Sequence, residues 1–131
     1  ERIKNEKIDN VKLLGNQKNI EEIISVCDIC LLFSPYGEGI SNAIIEYCAC
    51  GKPSIVSNKG GNREIIEDNI SGFLLNSDTI NEVVAKIDLL IANKDLREKM
   101  GNNAKIAVQK KFNIERMAND FISVYNLIVK K

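Results

Sequence analysis

CLLFSPYGEGISNAIIEYCACGKPSIVS, residues 30–57, changes character at each glycine or proline. The run from Ile29 to Phe33 is apolar on both alternating faces, as in a parallel strand covered by helices on each side. Ser34 to Gly39 then breaks it with one proline and two glycines. Ser41 or Asn42 can cap a helix that runs through Ala43, Ile44 and Tyr47 until Gly51 stops it. Lys52-Pro53 leads into a second apolar run, Ser54 to Ser57. A strand, a helix and a second strand in that order predict a βαβ unit.

The alternation continues outward in both directions. Upstream, Val11 to Leu14 reads as a strand and Asn19 to Val26 as a helix with Ile20, Ile23, Ile24 and Cys27 on one stripe. Downstream, Gly60-Gly61 opens a short helix near Arg63 to Glu67, and Gly72 introduces a fourth strand, Phe73 to Leu75. Ile80, Val83, Val84, Ile87, Leu90 and Ile91 then form one helical stripe, and Leu96 to Lys111 continues helically around Gly101. A last helix starts at Asn113-Ile-Glu, and its face of Met117, Phe121, Val124, Tyr125 and Ile128 needs a partner. The fold class expected is α/β, a doubly wound, Rossmann-like parallel sheet with C-terminal helices, in one domain over residues 1–131.

Composition narrows the ligand. Eighteen basic residues balance eighteen acidic ones, so no excess positive charge points to nucleic acid or an anionic membrane. No apolar run approaches the roughly 20 residues of a membrane span. A cytoplasmic location is the resulting expectation. The cysteines at Cys27, Cys30, Cys48 and Cys50 give C-x-x-C and C-x-C, which raises a zinc site. They fall beside an apolar strand and near a helix end, however, where small apolar core residues are the simpler reading. No metal and no cofactor are expected.

Ligands of open parallel sheets lie beyond the carboxyl ends of the strands. The loop Ser34 to Asn42 sets Gly37 and Gly39 around Glu38 just before a helix, where free backbone N–H groups can receive a phosphate. Ser57 to Glu64 repeats the arrangement with Gly60 and Gly61, which let a ligand approach the backbone. Glu46 falls roughly 7 to 8 Å along the helix from its start. A phosphate at the helix N-terminus would have a carboxylate on each side, each able to accept hydrogen bonds from sugar hydroxyls. That describes a nucleoside-diphosphate sugar. Lys59 and Arg63 could touch phosphate, but solvated surface is the simpler reading.

Other chemistries fit less well. Gly37-Glu-Gly39 is part of a dinucleotide fingerprint, yet Asn42 takes the third glycine's place and Ser57-Asn58 supplies no acidic residue for a ribose. A glycosidase would use its carboxylates as acid and base. A nucleoside diphosphate instead leaves once its charge is stabilised, as helix N-terminal amides can do. No D-x-D pair offers a metal for that work.

Leu14-Gly15, Cys27-Asp28, Ser34, Glu38-Gly39, Glu46, Gly51-Lys-Pro53, Gly60-Gly61 and Glu64-Ile-Ile66 together resemble the C-terminal domain of family-4, group 1 retaining glycosyltransferases. The resemblance covers nearly the whole chain, and its signature is two glutamates separated by seven residues, as Glu38 and Glu46 are. It implies half of a GT-B fold, a helix pair over Thr79 to Phe112 and a final helix crossing back to an N-terminal domain. It also implies that Glu38 positions the donor sugar, Glu46 holds the ribose, and the backbone of Gly39, Ile40 and Ser41 meets the diphosphate. The base would lie near Gly15, with Gly60 and Gly61 completing the donor site.

By the same resemblance the donor is a UDP- or GDP-linked hexose. The acceptor is a glycan, a lipid or another molecule, in a polysaccharide-type pathway. The chain starts at Glu1 and contains no histidine. A histidine near the transferred sugar and a basic pair that neutralises the diphosphate belong to the family's pattern and have no counterpart here. A fragment inactive by itself is therefore expected, with the N-terminal acceptor domain as its partner, a membrane-associated acceptor, and pairing of two copies through the last helix as a further option. The competing expectation is a nucleotide-sugar-binding module that regulates and does not catalyse.

Overall fold

The computed structural model describes residues 8–37, 39–77 and 79–129. Glu38 and Asp78 lie outside these, as do residues 1–7, 130 and 131. In chain order the elements are α1 (Ile20–Ser25), β1 (Cys30–Leu32), α2 (Asn42–Ala49), β2 (Ser54–Ser57), α3 (Asn62–Ile65), β3 (Gly72–Leu75), α4 (Ile80–Ala92), α5 (Lys94–Lys111) and α6 (Ile114–Val129). The strands form one parallel sheet in the order β1-β2-β3.

This is the expected α/β architecture, with one correction. Val11 to Leu14 forms no strand: the segment is exposed coil, and the described sheet has three strands where four were expected. Its apolar residues alone cannot make a strand, because a strand exists only through the ladder it shares with a neighbour. Leu13 is 75% exposed there, and the run pairs with no described strand. The short third helix also sits slightly earlier than Arg63 to Glu67, at Asn62–Ile65.

Strand register sorts the core into two layers. Ile55 pairs with Phe73, and with Leu75 these face one way, packing with Leu90 of α4 and Met100 of α5. Leu32, Val56 and Leu74 align across the sheet and face the other way, toward Ile44 and Cys48 of α2 and Ile65 of α3. Side chains alternate along a strand, so residues one apart must serve opposite layers. Fully burying each Ile, Leu or Met is worth about 1.5 to 3 kcal/mol relative to exposure.

Helix α5 serves both layers. Met100 belongs to the first, whereas Ala104 and Val108 belong to the second. It can pass so close to the turn before β2 because residue 101 is glycine: a Cβ there would stand 2.0 Å from the Gly51 carbonyl oxygen. Gly51, at φ +70, ends α2 in the left-handed conformation that glycine adopts without strain. At the far end of α5, the Lys111 ammonium donates to the Glu64 carbonyl at 2.6 Å and ties the helix to α3.

The expected core reading of the cysteines holds for two of them, of which Cys48 lies in the second layer. Cys30 and Cys48 are buried, while Cys27 and Cys50 are half-buried and all four are free. Burial pushes the Cys30 thiol up to about 11 and that of Cys48 to about 12. Such thiols stay protonated and unreactive near neutrality. No group of three or more Cys, Asp or Glu among the described residues is placed to hold a metal ion.

Candidate functional site

The carboxyl ends of the three strands are drawn together by polar contacts. The Asn58 backbone N–H donates to the Leu75 carbonyl at 2.7 Å, and its side-chain Nδ2 to Asn76 Oδ1 at 2.7 Å. The Ser34 N–H reaches the Ser57 hydroxyl at 3.5 Å. The loops after β1, β2 and β3 thus share one rim, where ligands of open parallel sheets are received. Asn58 Oδ1 is buried on this rim with no protein partner among the described residues.

Helix α2 rises from that rim. Ser41 occupies its N-cap position with extended backbone and is buried, but its hydroxyl makes no capping bond. The first-turn N–H groups, which have no carbonyl partner within a helix, are not closed off by the Ser41 side chain. Gly39 precedes this point and is exposed. A Cβ built on it meets nothing within 4 Å. Packing does not explain a glycine there, and the open approach is its effect. Glu46 is half-buried in α2, one turn beyond the start. Beside it, burial raises the Tyr47 hydroxyl above its ordinary range, with smaller contributions from Cys30, Glu46 and Cys27.

The structure brings the two glycine loops of the sequence-derived site together. Gly39, Ile40 and Ser41 lie in one loop at the start of α2, with Glu46 in the same helix. Glu38 lies outside the described residues. Gly15, at φ +64, stands in exposed coil with no atom near its Cβ position. Gly60, at φ +55, is exposed, while Gly61 is buried against the neighbouring loop. Arg63 is exposed as expected, and Lys59 is half-buried. Asn58, Asn62 and Lys111 were missed by sequence reasoning. Their roles depend on contacts 5 to 47 residues away along the chain, which no local pattern encodes.

A separate concavity lies beside α6. A groove of about 780 Å³ runs between α6 and the rest of the domain, lined by Ile40, Ile45, Phe112, Met117, Phe121 and Val124 among others. Its walls are chiefly apolar, with Lys111, Arg116 and Asp120 also on the lining, and it meets the rim at Ile40 and Glu64.

The pattern that describes Glycosyl transferases group 1 matches residues 1–107, and the chain belongs to that family. Among curated proteins it is 30% identical over 117 residues to the N-acetyl-alpha-D-glucosaminyl L-malate synthase of Bacillus anthracis, a match covering 89% of this chain and 30% of that protein. It is 34% identical over 120 residues to an uncharacterized glycosyltransferase of Methanocaldococcus jannaschii, covering 90% of this chain and 34% of the other. The chain therefore spans about a third of the length of these relatives. A solved glycosyltransferase from Rickettsia africae superposes with a TM-score of 0.90 at 30% identity, over 98% of this chain and 35% of that one. Anabaena HepE, solved in complex with UDP-glucose, superposes with a TM-score of 0.87 at 24% identity, covering 95% and 35%, and shares the fold. The domain is thus the α/β half seen in GT-B glycosyltransferases. No helix among the described residues is long and apolar enough to cross a membrane.

Proposed function

We propose that this chain is the donor-binding domain of a retaining, family-4 hexosyltransferase, acting with an N-terminal acceptor domain and taking a UDP- or GDP-linked sugar. The observation that carries the reading is the uncapped start of α2 beside Gly39, where the space a side chain would fill is open. A diphosphate set there meets backbone N–H groups and the positive end of the helix. Glu46, one turn on, accepts from the ribose hydroxyls, and Glu38 is assigned to the transferred hexose by the family pattern. These carboxylates bind and orient; neither acts as acid or base.

In the intact enzyme the bond between the anomeric carbon and the diphosphate oxygen breaks, and the acceptor oxygen bonds to the same face of the sugar. The acceptor proton passes to the departing phosphate. Stabilising the charge on that phosphate is the task of the α2 amides. The apolar face of α6 and the groove beneath it are assigned to the N-terminal domain, and the chain without that domain is assigned no transfer activity. The location assigned is cytoplasmic, with the whole enzyme able to meet a membrane-associated acceptor.

The test is a calorimetric titration of the full-length protein with a panel of UDP- and GDP-sugars, repeated for Glu38→Ala and Glu46→Ala. Loss of one charge-assisted hydrogen bond predicts roughly 10-fold weaker binding for Glu46→Ala. Unchanged affinity of both variants for every donor would remove the assignment. The anomeric configuration of the product, read by NMR, tests retention separately.

A further inference from the structure

The two glycine loops of the rim are not equivalent. Gly39 faces open space, but Gly61 is pressed into the first loop. A Cβ on Gly61 would stand 2.7 Å from the Gly39 carbonyl oxygen, 2.9 Å from the Gly39 carbonyl carbon and 3.1 Å from the Ile40 nitrogen. A second, less tight contact lies beside it, since a Cβ on Gly37 would lie 3.1 Å from the Gly60 nitrogen. The loops after β1 and β2 therefore interlock backbone against backbone, and the second fixes the height of the first.

What fixes the second loop is Asn62. This side chain is 5% exposed, and its Nδ2 donates to the Ser57 carbonyl at 2.9 Å. The bond staples the last residue of β2 to the first residue of α3 and closes the loop that carries Gly60 and Gly61. The Asn62 backbone N–H, reaching the Lys59 carbonyl at 3.3 Å, reinforces the same closure. From the sheet outward, support runs from Ser57 to Asn62, to Gly61, and then to Gly39 and Ile40.

We propose that Gly61 and Asn62 are positioning residues of the donor site, holding Gly39 and Ile40 in place while touching no donor atom. The inference rests on the donor-site reading above. Gly61→Ala forces the Gly39 carbonyl to move, and displacements near 1 Å at a site that positions a ligand can cost on the order of 100-fold in rate. Asn62→Ala removes one hydrogen bond and adds no atom, so it remains informative if Gly61→Ala does not fold.

The experiment pairs UDP titration of the full-length protein with its amide NMR spectrum recorded without nucleotide. The expected result is about 10-fold weaker UDP binding for Gly61→Ala and a smaller loss for Asn62→Ala. The Gly39 and Ile40 resonances should shift in both nucleotide-free variants while those of β3 stay. Variants that melt earlier yet bind UDP as tightly as wild type, with Gly39 and Ile40 unmoved, would overturn the proposal. So would an intermolecular NOE from UDP to Gly61 or Asn62. Wild-type protein that binds neither UDP nor GDP would instead sink the donor-site reading, and this inference with it.

Discussion

Helices α5 and α6 follow one another and meet opposite fates. α5 is rich in charged residues, yet it buries Met100, Gly101, Ala104 and Val108. α6 carries the broader apolar face and buries no residue: Phe121 is 59% exposed and Ile128 64%. Apolar content therefore does not set burial in this domain; the presence of a fitting surface does. Small residues at 101 and 104 bring α5 against α2 and the turn that follows it, and nothing among the described residues offers α6 the same. An amphipathic helix left uncovered is the signature of an interaction surface.

The contrast breaks most sharply at Gly101. Gly101→Leu drives a side chain into the Gly51 carbonyl, and the expected outcome is a loss of about 3 kcal/mol or more, or no folded protein, measured by urea denaturation. Met100→Ala leaves a cavity in the first layer and should cost about 2 to 3 kcal/mol in the same assay. If either variant is as stable as wild type, α5 is not the packed helix described here.

A smaller effect appears in the alkaline limb of stability. Cys48 shares its layer with Ala104 and Val108, and its thiol ionises only near pH 12 against about 9 when exposed. The unfolded chain therefore loses this proton first. The stabilisation is complete below about pH 9 and is lost as pH rises toward 12. Cys48→Ala should flatten that limb, and an unchanged slope would mean that the thiol is not buried under α5. The smallest effect is expected from Phe121→Ser on α6, within about 0.5 kcal/mol of wild type for this domain. A loss as large as that of Met100→Ala would show that α6 already has its partner within the chain.

Much of this was legible in residues 30–57. The run at Ser54 to Ser57 became a strand buried on both faces, the condition under which a strand reads as continuously apolar, whereas Cys30 to Leu32 became an edge strand of the described sheet with Leu31 41% exposed. Gly51 was a readable stop because a left-handed residue ends a helix locally. Val11 to Leu14 was not readable, since a strand depends on a neighbour and sequence pattern carries no neighbour. The glycines illustrate the same limit within the site. Both pairs looked like ligand contacts, but only spatial packing separates Gly39, open on its free side, from Gly61, wedged against Gly39.

One consequence of α5 concerns the order in which the molecule can assemble. Met100 completes one layer while Ala104 and Val108 complete the other, so a single late segment closes both faces of the sheet. While the chain is being made, the first face is not finished until residue 100 is available, nor the second until residue 108. The sheet's own pairings, between strands 18 to 24 residues apart, can form earlier but stay half-covered. The two layers are thus locked by one shared clasp, and a chain that ends before it is left with both sides of the sheet open to water and to other chains.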